Sequence, residues 1–248
     1  MLISFNSVQG PIAANKTYLK LVDVEKKFPE VNWGGIYSPP NCTARHRVAI
    51  IVPYRDRLQH LAVFLNHIHP FLMKQQIEYG IFIIEQEVWN THLNRAKLLN
   101  VGFMEARRLK PKNGWQCFIF HDIDLLPLDT RNLYSCPRQP LPYEEIFGGV
   151  SAMTLKQFMR VNGFSNQYWG WGGEDDDMFY RYIIYIVNGE TKTCRKETLL
   201  WFYLDSFLIR NYPKLVIRIR LRLRIYFYFG YSIVSVTVRK LYNIPDTL

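Results

Sequence analysis

Residues 48 to 57 read VAIIVPYRDR, and the apolar run that opens this stretch ends at Pro53. An uninterrupted apolar run of this length is typical of a parallel strand that is buried on both faces of its sheet. Periodic and continuous apolar segments then alternate along the chain. They predict helices at residues 58 to 76 and 94 to 107, and strands at 79 to 84 and 117 to 120. This alternation predicts an α/β domain with a mostly parallel central sheet.

Charged residues follow the ends of two of these predicted strands. Arg55 and Arg57 follow the first strand, and Asp122 and Asp124 follow the strand at 117 to 120. Ligands of parallel α/β sheets bind at the carboxyl ends of the strands. We therefore expect these four side chains to converge at one edge of the sheet.

The two aspartates form a D-x-D sequence, which is a common arrangement for a divalent-metal site. Hard cations such as Mg²⁺ and Mn²⁺ take carboxylate oxygens as ligands and bridge to phosphate oxygens. The same three-residue pattern is also frequent by chance. Its position at a predicted strand end favours the metal interpretation.

Residues 169 to 177 read WGWGGEDDD and form a more specific motif. Indole faces stack on the apolar faces of sugars, and glycines allow a ligand to approach the backbone closely. A carboxylate beside a sugar can take a proton from an attacking hydroxyl. A structural alternative is that the acids cap a helix that we predict from Glu174 to about Val187. Capping accounts for one or two acids, but poorly for four acids preceded by two tryptophans and three glycines.

The composition is that of a globular protein, with 48% hydrophobic and 21% charged residues in 248 and a net charge of +10. Much of the positive charge lies near the C-terminus, where residues 218 to 225 alternate strictly between arginine and apolar residues. This pattern predicts an amphipathic strand, which either binds an anionic partner or has no selected fold. A nucleic-acid-binding function would explain neither acidic motif, so we expect no nucleic-acid partner.

The four cysteines form no C-x-x-C pair, which argues against a zinc site. Two N-glycosylation sequons, at Asn15 and Asn41, favour a secretory compartment, where a disulfide would persist. We find neither a signal peptide in residues 1 to 9 nor an apolar stretch long enough to span a membrane.

Five segments together resemble the β-1,4-galactosyltransferase family: VAIIVPYRDR (48–57), NRAKLLNVGF (94–103), FIFHDIDLLP (118–127), FGGVSA (147–152) and NGFSNQYWGWGGEDDD (162–177). The resemblance runs from about residue 35 to residue 181. It implies a GT-A fold, location in the Golgi and an inverting, Mn²⁺-dependent transfer of Gal or GalNAc. The donor would be UDP-Gal or UDP-GalNAc, and the acceptor the 4-hydroxyl of a GlcNAc-terminated glycan.

The resemblance also implies roles for individual residues. Asp124 matches the metal ligand, Asp175 the general base, and Cys117 and Cys136 a disulfide pair. Glu174 and Asp176 match the acids that act with the base on the acceptor. The matches to donor-binding positions are Pro53, Tyr54, Arg55, Arg57, Arg95, Asp122, Ile146, Trp171 and Gly172.

Ile146 bears on the donor sugar. Vertebrate galactosyltransferases carry a tyrosine just before F-G-G, which crowds the 2-substituent of the sugar. The smaller Ile146 leaves room for an N-acetyl group, as in invertebrate members that use UDP-GalNAc.

The chain also departs from the family pattern. A segment that the family carries between the positions of Pro140 and Leu141 is absent, and no histidine follows His121 to supply a further metal ligand. Cys42 has no family partner, and the family's N-terminal membrane anchor is missing. We therefore expect a truncated or mis-spliced product with three parts: an irregular segment (1–46), an incomplete GT-A core (47–187) and a divergent basic and apolar tail (188–248). An alternative is a lectin-like relative that binds UDP-sugar or glycan without turnover.

Overall fold

A computed structural model of the chain describes residues 10–32, 35–86, 92–109, 114–136 and 147–184. Beyond these it describes the backbone of three strands in the C-terminal segment. The predicted strand-helix alternation is confirmed, with elements slightly longer or shorter than predicted. These elements are β2 (Arg47–Tyr54), α2 (Leu58–Lys74), β3 (Glu78–Gln86), α3 (Arg95–Arg108) and β4 (Cys117–His121).

Three further elements complete the part of the chain that carries the motifs. They are β5 (Val150–Thr154), α4 (Leu155–Arg160) and α5 (Glu174–Tyr182). Helix α5 begins at the predicted residue, while the predicted end near Val187 lies outside the described residues. Helix α4 begins with a capping box, in which the Thr154 hydroxyl accepts from the Gln157 amide and the Gln157 side chain accepts from Thr154.

The strands form one sheet with the order β5-β4-β2-β3-β7-β6. Strands β4, β2, β3 and β7 run parallel, and β5 pairs antiparallel with β4. The predicted α/β fold with a mostly parallel central sheet is therefore confirmed. Because β2 and β4 are parallel, Tyr54 and His121 bring the two strand-end motifs to the same edge of the sheet.

The central strands are buried on both faces, as their continuous apolar sequence predicts. Ala49 and Ile51 of β2 pack into a core with α3, α4 and α5, whereas Val48, Ile50 and Val52 pack into a second core with α2. Helix α3 lies especially close to the sheet. A Cβ on its Gly102 would lie 2.3 Å from the Ile51 side chain, so this packing excludes a larger residue.

The segment predicted as irregular, residues 1 to 46, contains a short helix, α1 (Leu21–Lys27), and a two-residue strand, β1 (Ile36–Tyr37). Strand β1 pairs antiparallel with β3. Both elements are too short to be stable alone or to show a period in the sequence. They are held by tertiary packing, because Val24 and Tyr37 are buried in the core beside α2.

Strands of the C-terminal segment extend the sheet. They are β6 (Leu208–Tyr212), β7 (Val216–Tyr228) and β8 (Tyr231–Thr237). The strand predicted from the alternation at 218 to 225 lies within β7, which pairs parallel with β3. The tail that we separated from the core on its composition thus contributes strands to the same sheet.

Candidate active site

The D-x-D sequence lies where β4 ends, next to the start of β5. The Asp122 amide donates to the Gly149 carbonyl at 2.9 Å, which joins the D-x-D turn to the F-G-G segment. Arg57, which follows β2, pairs with Asp124 at 2.9 Å between Nη1 and Oδ2. The predicted convergence is therefore seen directly for Arg57 and Asp124. Pro53 and Tyr54 are buried at the end of β2, with Arg55 half-buried beside them.

Arg95, in the first turn of α3, joins the two acidic motifs. Its Nε donates to Asp122 Oδ1 at 2.7 Å, and its Nη1 lies 3.3 Å from Glu174 Oε1. The arginine side chain is only 14% exposed and that of Glu174 only 9%. This bridge connects residues that are 52 positions apart in the sequence, Asp122 and Glu174, through one guanidinium group.

Burial raises the pKa of Asp122. Arg95 opposes this shift by charge and by its hydrogen bond, whereas the nearby charges of Asp124 and Asp175 add to it. Carboxylates from both motifs therefore raise the pKa of Asp122, which requires that Asp175 lies near the D-x-D turn.

The four acids at the start of α5 have different surroundings. Glu174 is buried against Arg95, and Asp177 forms an ion pair with Arg181 one turn later on the same helix. Asp175 is partly exposed, and its Oδ1 accepts from the Asp176 amide at 3.1 Å. Asp176 is exposed. No side chain caps α5 at its N-cap residue Gly173, and the four acids of its first turn have different partners.

Asp175 lies directly over the backbone of the F-G-G segment. A Cβ placed on Gly148 would lie 2.4 Å from Asp175 Oδ2, closer than any real contact. The glycine therefore permits this carboxylate to approach the edge of the sheet where Asp122 lies.

The W-G-W-G-G loop precedes α5 and carries a fully exposed indole at Trp171. Gly170, Gly172 and Gly173 adopt φ values of 90°, 93° and 92°, a region that residues with a Cβ rarely enter. Trp169, in contrast, packs against the core. The loop thus has one anchored and one exposed tryptophan, separated by a glycine.

Asp124 is the residue best suited to bind a divalent cation. Its carboxylate is half-exposed and is a hard oxygen ligand of the kind Mn²⁺ takes. Within the described ranges, no group of three or more His, Cys, Asp and Glu side chains forms a metal site. The residues present therefore fit a cation only if a bound diphosphate and water complete its coordination, as nucleotide-bound Mg²⁺ sites allow.

His121 and Tyr134 support the D-x-D turn and were not predicted from the sequence. His121 Nδ1 donates to the Asp122 carbonyl at 2.8 Å, so Nε2 is the acceptor and the Tyr134 hydroxyl donates to it at 2.7 Å. Burial lowers the pKa of His121 to about 4, which keeps the imidazole neutral. The predicted disulfide between Cys117 and Cys136 is present and closes the same loop.

Polar side chains of α3 also contact the loop before Trp171, and they too were missed. Asn94, Lys97 and Asn100 are buried at three-residue spacing. Only Asn94 has a recognisable signal in the sequence, as a helix N-cap residue; the burial of Lys97 and Asn100 is set by the packing of the loop. Ile146 lies outside the described residues, so its predicted role is untested.

None of the described helices is both long and apolar enough to cross a membrane.

Two family models match the chain. The N-terminal region of glycosyl transferase group 7 matches residues 3–137, and a model described as the N-terminal domain of galactosyltransferase matches residues 132–203. Mouse β-1,4-galactosyltransferase 1 is 50% identical over 178 residues, which cover 65% of this chain and 44% of that protein. Chinese hamster β-1,4-galactosyltransferase 4 is 51% identical over 176 residues, covering 66% and 50%. The chain spans about half the length of these relatives.

Solved structures agree with the predicted GT-A fold. A mutant of Drosophila β-1,4-galactosyltransferase 7, in complex with manganese, UDP-Gal and xylobiose, is similar with a TM-score of 0.52. It is 25% identical, and the match covers 80% of this chain and 96% of that chain. A second structure of the Drosophila catalytic domain, with xylobiose, is 24% identical with a TM-score of 0.53 and supports the fold alone. With this fold and these matches, the chain belongs to the β-1,4-galactosyltransferase family.

Proposed function

We propose that this chain is an inverting glycosyltransferase that moves Gal or GalNAc from a UDP-sugar to the 4-hydroxyl of a terminal GlcNAc. The observation that carries this proposal is the Arg95 bridge, which holds the D-x-D turn and the acidic start of α5 together. A transferase of this kind needs a cationic place for a diphosphate beside a carboxylate for the acceptor. The arginines and carboxylates that this chain gathers at one edge of the sheet support the proposal that both are present.

The donor diphosphate would bind at the strand ends. Arg57 is half-exposed, and its guanidinium could contact phosphate oxygens on leaving Asp124. Arg55 follows the same strand, and Arg95, which matches a donor-binding position, holds Asp122 and Glu174 in place. Asp124 would hold Mn²⁺, the metal in the Drosophila complex, and when bound this ion would offset the negative charge of the leaving diphosphate. Trp171 and Gly172 belong to the exposed loop that would contact the sugar.

Asp175 is the carboxylate best placed to act as general base. Glu174 and Asp177 are engaged by arginines, whereas Asp175 is partly exposed and lies beside Gly148 near Asp122. In this proposal its carboxylate takes the proton from the acceptor hydroxyl. The hydroxyl oxygen forms a bond to the anomeric carbon while the bond to the UDP oxygen breaks and its electron pair leaves on the diphosphate.

The donor sugar is proposed from the sequence alone. Ile146 in place of a tyrosine leaves room for the N-acetyl group of UDP-GalNAc.

We further propose that the protein acts in the Golgi lumen. The Cys117–Cys136 disulfide fits an oxidising compartment of the secretory pathway.

The test is a transfer assay with Mn²⁺, a GlcNAc-terminated acceptor, and UDP-Gal or UDP-GalNAc as donor. We expect turnover, and Asp175→Asn should lower kcat by about 10²- to 10⁴-fold, the usual contribution of a general base. Asp177→Asn is the matched control, because Asp177 belongs to the same acidic run but pairs with Arg181. Equal losses in both variants would contradict the role of Asp175, and use of UDP-Gal alone would contradict that of Ile146.

A second candidate function is binding of UDP-sugar or glycan without turnover. It is favoured by the Arg57–Asp124 ion pair, which engages the predicted metal ligand, and by the lack of any group of three metal-ligating side chains among the described residues. UDP binding in calorimetry, combined with no transfer of either sugar, would support this function and reject the first.

A further inference from the structure

Three polar side chains at the start of α3, one at its N-cap residue and two within its first two turns, contact the segment before Trp171. We call Asn94, Lys97 and Asn100 the α3 clamp, and residues 164 to 170 the clamped segment. The clamp side chains lie three residues apart on one face of the helix, and the residues are at most 4% exposed. Burial of a polar group costs free energy unless the group has a hydrogen-bond or charge partner. The contacts that these three side chains make are therefore what stabilises them in the interior.

Asn94 and Asn100 bind the start of the clamped segment through their amides. Asn100 accepts from the Phe164 amide at 2.9 Å, and donates to the Phe164 carbonyl at 2.7 Å and to Asn166 Oδ1 at 2.9 Å. Asn94 donates to the Asn166 carbonyl at 2.9 Å, and its own carbonyl-side oxygen caps α3 by accepting from the Lys97 amide. Through these contacts the two asparagine side chains hydrogen-bond to the backbone of Phe164 and Asn166 and hold it in place.

Lys97 and Leu93 hold the end of the clamped segment. The Lys97 ammonium lies 5.6 Å from the centroid of the Trp169 ring, within the range of a cation–π interaction. The Gly170 amide donates to the Leu93 carbonyl at 2.8 Å, immediately before α3. Burial lowers the pKa of Lys97 to about 8, so the side chain still carries most of its charge at pH 7, as the contact with Trp169 needs.

The backbone conformation and the exposure of the chain change directly after the contact between Gly170 and Leu93. Gly170, Gly172 and Gly173 have positive φ values, and the Trp171 indole between them is fully exposed. The first residue of α5, Glu174, is held again, through Arg95 of the same helix α3. Held segments therefore flank a short glycine-rich loop on both sides.

We propose that Lys97 and Asn100 are positioning residues, which fix the clamped segment against α3 and thereby set the position from which loop residues 171 to 173 extend. The expected effect on turnover rests on the proposed function. The expected effect on the clamped segment does not. Arg95 and Lys97, two residues apart in α3, would then set the two fixed ends from which the loop extends.

Hydrogen–deuterium exchange tests the clamp without any assumption about activity. In the full chain, Lys97→Met and Asn100→Ala should raise the exchange of amides in residues 164 to 170 by about tenfold or more. Arg107→Met is the matched control, because Arg107 lies in the same helix and its contacts with Phe103 and Met159 do not involve the clamped segment. It should leave this exchange unchanged. Unchanged exchange in both clamp variants would overturn the proposal.

Turnover and donor binding distinguish positioning from a general structural role. Lys97→Met should lower kcat about tenfold or more with the UDP affinity within about threefold of wild type, since the strand-end arginines remain. An equal loss of UDP affinity would overturn the positioning role. If wild type shows no turnover but the exchange result holds, the proposed function fails and the clamp stands.

The tryptophan partner gives a test that does not depend on the lysine variant folding. Trp169→Phe keeps an aromatic face for the ammonium, whereas Trp169→Leu removes it. We expect Phe to retain the slow exchange of the clamped segment and Leu to lose it. Identical exchange in the two variants would overturn the role of the Lys97–Trp169 contact.

Discussion

Removing Arg95 should destabilise the protein in a way that depends on pH. Arg95→Met leaves Asp122 and Glu174 without their shared cation, and their side chains are only 27% and 9% exposed. Taking one partner from a buried ion pair costs about 3–5 kcal/mol, because the remaining charges stay desolvated. We expect a loss of this size in the free energy of unfolding at pH 8.

Lower pH should reduce this loss. The pKa of Asp122 is already raised by burial, and Arg95 is the group that opposes the shift. Without the arginine, the raised pKa of Asp122 means that the folded state holds this proton to higher pH than the unfolded state, so stability falls as pH rises above the unfolded pKa of Asp122. The difference in unfolding free energy between variant and wild type should therefore be smaller at pH 5 than at pH 8.

Urea unfolding followed by circular dichroism at pH 8, 6 and 5 measures both quantities, provided the denaturant slope stays constant. Arg131→Met is the control, since Arg131 also pairs with an aspartate, Asp129, but is mostly exposed. It should show no pH-dependent gap. A loss below about 1 kcal/mol at pH 8, the value of a surface pair, or a gap that stays constant down to pH 5, would refute the reasoning.

Three further perturbations test other parts of the site. Gly148→Ala should displace the Asp175 carboxylate and lower kcat by about 10²-fold or more with an unchanged melting temperature, and turnover near the wild-type rate would contradict the proposed base. Replacing Cys117 and Cys136 by alanine should cost about 3 kcal/mol in urea unfolding, as expected for a loop of this size, whereas equal stability would show that the cross-link has no effect. The lowered pKa of His121, about 4 against an ordinary value of 6.5, means that the unfolded state binds more protons between these values. Stability should therefore fall by about 3 kcal/mol from pH 6.5 to pH 4, and His121→Gln should lack this contribution in a pH series of unfolding curves.

The strands and helices of the core follow from local patterns, and so the sequence predicts them well. Strand β2 is recognisable because its apolar run is buried on both faces, and α3 because its apolar residues recur at helical spacing. Helix α1 and strand β1 were not predictable in the same way. Each gains its stability from contacts with residues distant in the sequence, such as the pairing of Ile36 with Gly80.

At the site, too, the sequence predicts which residues take part but not which of them pair with one another. The family resemblance identified Arg95, Asp122 and Glu174 as site residues but not that one arginine bridges the two acids. Lys97 was missed because a lysine in a helix is usually solvated, and only the packing of the loop against α3 buries it. The different roles of the four acids in α5 likewise depend on which arginine each can reach.

Strand register explains why the two motifs meet. Strand β5 pairs antiparallel with β4 so that Val150 lies opposite His121. This register continues into the turn, where the Gly149 carbonyl accepts from the Asp122 amide and Gly148 comes under Asp175. A shift of one residue would turn the side chains of β5 to the other face and separate these groups. The F-G-G segment therefore connects the D-x-D turn with the acids of α5, and the glycine at position 148 leaves the space that the Asp175 carboxylate occupies.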